Sequence, residues 1–165
     1  MKQMQIDKLT VKIMDSRAEM GRVAAQDIRE VLSRLLNEKE EVNMIFAAAP
    51  SQNEVLYYLK EDKSIPWNRI HAFHMDEYIG LREDAPQGFG NFLRRAIFDR
   101  VPFRSVHYLN GLIDPRKACN EYAELLEQNP VDVVFMGIGE NGHIAFNDPH
   151  VADFNDAEWV KVVDL

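Results

Sequence analysis

A single cysteine, Cys119, is all the thiol this 165-residue chain holds. An intrachain disulfide framework is therefore excluded, and stability must come from a packed core. Cys119 lies in a stretch of helical pattern, where a small apolar packing role is the expected use. Glycine and proline are not in excess, at eight and seven residues, which sets aside collagen-like and low-complexity classes. No apolar run approaches the ~20 residues of a membrane span, and the opening MKQMQIDKLTVKIMD lacks the apolar stretch of a secretory signal. Positive charge is scarce: 19 Lys and Arg stand against 27 Asp and Glu, for a net charge of −8. That balance argues against nucleic acid or a membrane as partner. It leaves room for a small anion in a locally positive pocket. The default expectation is a cytoplasmic protein.

What remains is an ordinary globular composition, 46% apolar and 28% charged. The chain suits one domain over residues 1–165, and at that length it can bury roughly 68–70% of its unfolded surface. Asp15 and Ser16 can cap a helix whose apolar stripe is Met20, Val23, Ile28, Val31, Leu32 and Leu35. Val42 to Ala49 reads as a buried strand, followed by a helix from about Gln52 to Lys60; Ile65-Pro66 breaks the chain before a second strand, Ile70 to Met75. Phe89 to Arg100 has helical spacing, Val106 to Leu109 is a weakly signalled strand, and Asp114-Pro115 opens another helix. Val131 to Met136 is the clearest strand, and Val160 to Val163 reads as one more. Alternating strands and helices predict an α/β fold: a mostly parallel open sheet with helices on both faces, a Rossmann-like three-layer architecture. Ligands of such sheets bind beyond the carboxyl ends of the strands.

Three loops lie at those ends. Ser51, Gln52 and Asn53 enter a helix, where free N–H groups make an anion site or, more blandly, the side chains cap the helix. Asp76 and Glu77 are adjacent carboxylates that suit acid–base chemistry, or else a turn cap and a solvated charge. The third loop runs GIGENGHIAFNDP, with Gly137, Gly139 and Gly142 permitting close backbone approach. It carries His143, a side-chain type suited to proton transfer, with Asn141 and Asp148 near enough in sequence to orient the ring.

The runs HMDEYIGL and VVFMGIGENGHIAFNDP, with the intervening LNG at Leu109 to Gly111, resemble the signature segments of the glucosamine-6-phosphate deaminase/isomerase family. The resemblance covers the chain from about Asp15 onward. It implies conversion of an amino-sugar phosphate to fructose 6-phosphate and ammonia, without metal or organic cofactor. It also implies Asp76 as the residue moving a proton between C2 and C1, and His143 as the ring-opening histidine. Asp148 stands where the family has a glutamate, and Asn141 where it usually has an aspartate. Ser51, Gln52 and Asn53 take the place of a Gly/Thr-rich phosphate loop, with Glu77, Gly137, Gly139 and Gly142 as further substrate-binding positions. These departures fit a paralogue acting on another amino-sugar phosphate, such as the galactosamine form. Family members continue past the point matching Leu165, so a C-terminal part carrying phosphate-binding Arg and Lys is expected to be missing. A homo-oligomer stays open.

Four other readings compete. The related 6-phosphogluconolactonases share the glycine–histidine loop but follow it with Thr-Ala-Ser rather than Ile144-Ala145-Phe146-Asn147. A dinucleotide fingerprint fits Gly137, Gly139 and Gly142, yet Asn147-Asp148-Pro149 interrupts the helix it must open. A metal site from His71, His74 and Asp76 would need two strand residues of opposite face to converge. A non-catalytic sugar-phosphate sensor is the remaining alternative.

Overall fold

Val42, Met44 and Phe46 alternate along one strand and are fully buried, as are Ile70 and Ala72 on the next. Period-two burial of this kind marks one face of a sheet. In the computed structural model, which describes residues 1–165, these are β3 (Val42–Phe46) and β4 (Ile70–His74), paired in parallel register with Val42 opposite Ile70. Two short strands complete the sheet, β5 (Ser105–His107) beside β4 and β6 (Val133–Phe135) beside β3, giving the order β5-β4-β3-β6, all parallel.

The opposite faces of these strands have different partners. Val42, Met44, Phe46, Ile70 and Ala72 pack with residues of α1 (Arg17–Glu38), α2 (Asn53–Glu61) and α3 (Phe89–Leu93). Phe73 on the reverse face packs with Tyr122 and Leu126 of α4 (Pro115–Gln128). The three-layer α/β architecture expected from the sequence is therefore present. The ring of Phe46 meets Phe98, Phe103 and Phe135 edge-on at 5.3, 5.7 and 6.3 Å, the arrangement that aromatic quadrupoles favour. Truncating such a residue typically costs about 3–5 kcal/mol.

Local chemistry explains the element boundaries. Ser16 caps α1 by accepting a hydrogen bond from the Glu19 N–H, and Asp114 caps α4 by accepting from Lys117 with Pro115 in the first turn. The buried line of α1 runs through Gly21, Ala25, Leu32 and Leu36, while Met20 is exposed. The stripe is thus turned by about one residue from the expected one, because α2 lies against this face. The expected helix from Phe89 divides: α3 ends at Leu93 and a π-helical turn follows over Arg94–Phe98.

Two features depart from the sequence reading. Residues 2–13 form an antiparallel hairpin, β1 (Lys2–Ile6) and β2 (Leu9–Ile13), joined through Asp7 at φ 53°. The left-handed conformation matches the primed turns that suit strand twist. The strand expected at Val160–Val163 does not form. No ladder partner reaches this segment, and its neighbourhood is closed by local bonds instead: Lys161 donates to the Val151 carbonyl and pairs with Asp156, and His150 contacts the Asp164 carbonyl. Val160 still packs beside Phe73, Tyr122 and Leu126.

Candidate functional site

The carboxyl ends of β3, β4 and β6 are stitched together by the backbone. Met75 N–H donates to the Phe46 carbonyl at 3.0 Å, and Ala47 N–H donates to that of Phe135 at 2.9 Å. The three loops that leave these ends are consequently neighbours.

In the first loop, a 3₁₀ turn over Pro50–Gln52 runs into α2, and no side chain caps either start. Ser51 and Asn53 are exposed, while Gln52 is buried. The loop is anchored by Arg17, whose guanidinium donates to both Glu54 oxygens at 2.8 and 2.7 Å and to the Pro50 carbonyl. That pairing holds the Glu54 carboxyl below its ordinary range. Gln52 and Ser51 face the third loop at Gly137, where an added Cβ would come within 3.1 Å of Gln52 Nε2.

In the second loop the two carboxylates have different surroundings. Glu77 accepts from three backbone N–H groups, those of Tyr78, Phe89 and Gly90, at 2.9–3.0 Å. Two of these are first-turn amides of α3, so the carboxylate satisfies groups that the helix leaves unpaired. Asp76 makes no such bonds through its side chain. Its carboxyl is pushed up to about 6, first by burial and then by the neighbouring Glu77 charge, with His143 pulling the other way. An acid of this strength exchanges protons readily near neutral pH.

In the third loop the chain doubles back between Gly139 and His143, with Gly139 N–H donating to the His143 carbonyl and Gly142 at φ +87°. Ala145 also adopts a left-handed φ, 54°. The imidazole of His143 lies directly over Gly139, where a Cβ would overlap the ring. Nδ1 of His143 is 2.7 Å from Asn141 Oδ1 and 3.3 Å from Asp148 Oδ1. The Asn141 amide in turn donates to Asp148 Oδ1 at 2.7 Å. An amide oxygen can only accept, so the Nδ1 proton belongs to that bond. Nε2 is left free.

The structure thus brings Asn141, His143 and Asp148 into one network and sets Asp76 within electrostatic reach of it. A cleft of about 600 Å³ includes Asp76, Tyr78, Asn110, Phe146 and Lys161. His143 and Ser51–Asn53 do not line that cleft. His71 and His74 occupy opposite faces of β4: His71 bridges Glu41 and Ser105, whereas His74 contacts Asp76 and Leu109 through its ring.

Some contributors were not assigned to this site from the sequence. Tyr78, Phe89 and Phe146 form a three-ring cluster with centroids 5.0–5.6 Å apart, tying the third loop to the second. His74 and Tyr122 form a buried polar pair beneath Asp76. His74 was weighed only as a metal ligand with His71, and the available signal was its place at the end of the strand beside Asp76.

Comparison with known proteins adds an independent line. Residues 15–164 match the family described as glucosamine-6-phosphate isomerases/6-phosphogluconolactonase. A glucosamine-6-phosphate deaminase of Lactobacillus helveticus is 36% identical over 112 residues, 67% of this chain and 47% of its own length. One from Bacillus cereus is 30% identical over 142 residues, 86% of this chain and 51% of its own. The chain therefore spans about half the length of these curated relatives. Among solved structures, a 6-phosphogluconolactonase of Thermotoga maritima superposes with a TM-score of 0.72 at 28% identity, over 81% of this chain and 61% of that one. A monomeric glucosamine-6-phosphate deaminase superposes at 0.71 and 23% identity, over 82% and 58%, which speaks to the fold. No helix is long and apolar enough to cross a membrane. By sequence match and fold together, this chain belongs to the glucosamine-6-phosphate isomerase/6-phosphogluconolactonase family.

Proposed function

We propose that the whole protein is an amino-sugar phosphate isomerase/deaminase, releasing ammonia and a ketose 6-phosphate from glucosamine 6-phosphate or its galactosamine epimer. The observation that carries this reading is the pairing of Asp76, a carboxyl poised at about 6, with a histidine whose Nδ1 is held and whose Nε2 is free. Curated relatives named glucosamine-6-phosphate deaminase support the same chemistry.

Each group has a defined task. His143 Nε2 takes the anomeric hydroxyl proton and passes it to O5 as the C1–O5 bond breaks, which completes opening of the ring. Asn141 and Asp148 keep the imidazole in the tautomer this needs and stabilise its positive charge. Asp76 removes the proton from C2 and returns it to C1 while a proton of the amino nitrogen passes to O1, turning the aldose into a C2 imine that water hydrolyses to ketose and ammonia. The start of α2 receives the phosphate through the exposed Ser51 and Asn53 side chains beside Gln52, since the Gln52 and Asn53 N–H groups already donate to the Ala49 and Pro50 carbonyls. Gly137, Gly139 and Gly142 let the substrate approach the third loop, while Glu77 shapes the site through α3.

The test is a comparison of two substrates on the whole protein. Ammonia release from a phosphorylated amino sugar is expected, with little hydrolysis of a phosphorylated sugar lactone. The reverse pattern would establish the lactonase reading, which the Thermotoga maritima likeness favours. Binding without either turnover would make the protein a sensor. The non-phosphorylated sugar should bind far more weakly, since each charge-assisted hydrogen bond lost removes roughly 1.5–3 kcal/mol.

A further inference from the structure

We propose that His74 is a positioning residue for Asp76, bridging the end of β4 to the Leu109–Gly111 segment and so holding the carboxyl in the cleft. The inference rests on the acid–base reading of Asp76.

His74 is 1% exposed, and all four of its polar groups are engaged. Its Nε2 lies 2.8 Å from the Leu109 N–H, and its Nδ1 lies 3.0 Å from the carbonyl of Asp76. An amide N–H can only donate and a carbonyl can only accept. The ring is therefore neutral, with its proton on Nδ1 directed at the residue that carries the carboxyl. Its backbone is held by one hydroxyl: Tyr122 accepts from the His74 N–H and donates to the His74 carbonyl, both at 2.9 Å.

Leu109 opens the segment that forms the other wall of the Asp76 loop. Gly80 N–H donates to the Gly111 carbonyl at 2.8 Å, and Gly111 lies so close to the Tyr78 carbonyl that a Cβ there would collide with it. The imidazole therefore joins two pieces of chain, one on each side of Asp76. A residue that only filled space could be replaced by any ring of similar volume. This one supplies a donor and an acceptor in fixed directions.

The charged and titratable surroundings agree. Glu77, Arg94, Tyr108 and Tyr122 face the His74 ring, and Glu77 and His143 face Asp76. Burial lowers the His74 imidazole to about 4, so it stays neutral across the working range and keeps its donor–acceptor polarity.

Three variants of the whole protein test this: His74→Phe, which keeps a ring but no hydrogen bonds; His74→Gln, which keeps one donor and one acceptor; and Tyr122→Phe. Two readouts are needed. Turnover of the phosphorylated amino sugar should fall about 10–100-fold in kcat with KM within about twofold for His74→Phe, because small displacements of a reacting group cost rate rather than binding. His74→Gln should recover most of the loss. Independently of turnover, the carbon-13 shift of the Asp76 carboxyl should titrate closer to the ordinary aspartate range in His74→Phe than in the parent, as the side chain moves toward water. An unchanged Asp76 titration and unchanged kcat in folded His74→Phe would overturn the proposal. If His74→Phe does not fold, Tyr122→Phe and His74→Gln decide by the same two readouts. If the parent turns over no amino sugar, the acid–base reading fails, and the carboxyl titration still judges the positioning.

Discussion

Replacing Asp76 by asparagine should remove activity and at the same time stabilise the fold, in a pH-dependent way that the structure specifies. The carboxyl ionises at about 6 in the folded chain against an ordinary 3.8. Between those values the folded state holds a proton that the unfolded chain has released. Stability therefore falls as pH rises through this window and stays lowered above it. A displacement of this size corresponds to about 3 kcal/mol at full effect, and roughly 1–2 kcal/mol once the partial exposure of the site is allowed for. The amide of the variant carries no charge and escapes this cost. Urea denaturation of parent and Asp76→Asn should give equal stabilities near about pH 4, with the variant more stable by about 1–2 kcal/mol near about pH 8. Taking the difference between two proteins cancels every other carboxylate. Turnover should fall by ~10²–10⁴-fold over the same comparison. A variant that is less stable than the parent near about pH 8, or a difference that does not change with pH, would refute the assignment of a buried, proton-holding carboxyl.

Other outcomes follow from the same geometry. His74 has the opposite sign: its folded value lies below its unfolded one, so its contribution is complete above about 6.5 and is lost as pH falls toward about 4. His74→Gln should flatten this acid limb of the stability profile, and an unchanged limb would show that another group controls it. Gly139→Ala should leave the far-ultraviolet spectrum intact yet lower kcat at least about tenfold, since the new methyl displaces the His143 ring; wild-type turnover would show that the ring is not held there. Asp148→Asn should impair kcat/KM more than Asn141→Ala, because Asp148 lies 3.3 Å from Nδ1 and can take over the bond that Asn141 vacates; the reverse order would make Asn141 the principal support. Ala145→Gly should raise the unfolding free energy in urea denaturation by up to ~1 kcal/mol, as the left-handed backbone is costly in alanine; a lowered value would show that the methyl packs more favourably than the backbone is strained.

The parts of this protein legible in its sequence are those encoded by neighbours along the chain. Short apolar runs identified β3, β4 and β6, and the caps at Ser16 and Asp114 identified the starts of α1 and α4. From the alternation of strands and helices it followed that the chemistry would lie at the loops after Ala49, Met75 and Met136, because a parallel sheet gathers those ends on one side. The hairpin of residues 2–13 went unread, because Met4, Ile6, Leu9, Val11 and Ile13 alternate only over short exposed strands, which signal weakly.

Tertiary structure decided what no local pattern contains. Val160–Val163 has strand composition, yet a strand exists only where an edge accepts its hydrogen bonds, and none does. Asp76 and Glu77 are adjacent and chemically alike. Only the fold gives Glu77 three backbone donors while leaving Asp76 half-buried without them, so that one carboxylate is committed to structure and the other holds its proton up to about 6. His74 read as an ordinary strand histidine until Leu109, 35 residues away in sequence, supplied the N–H that fixes its tautomer. Burial, partner and proton are properties of position in space, and the distant segments that set them meet only when the sheet closes.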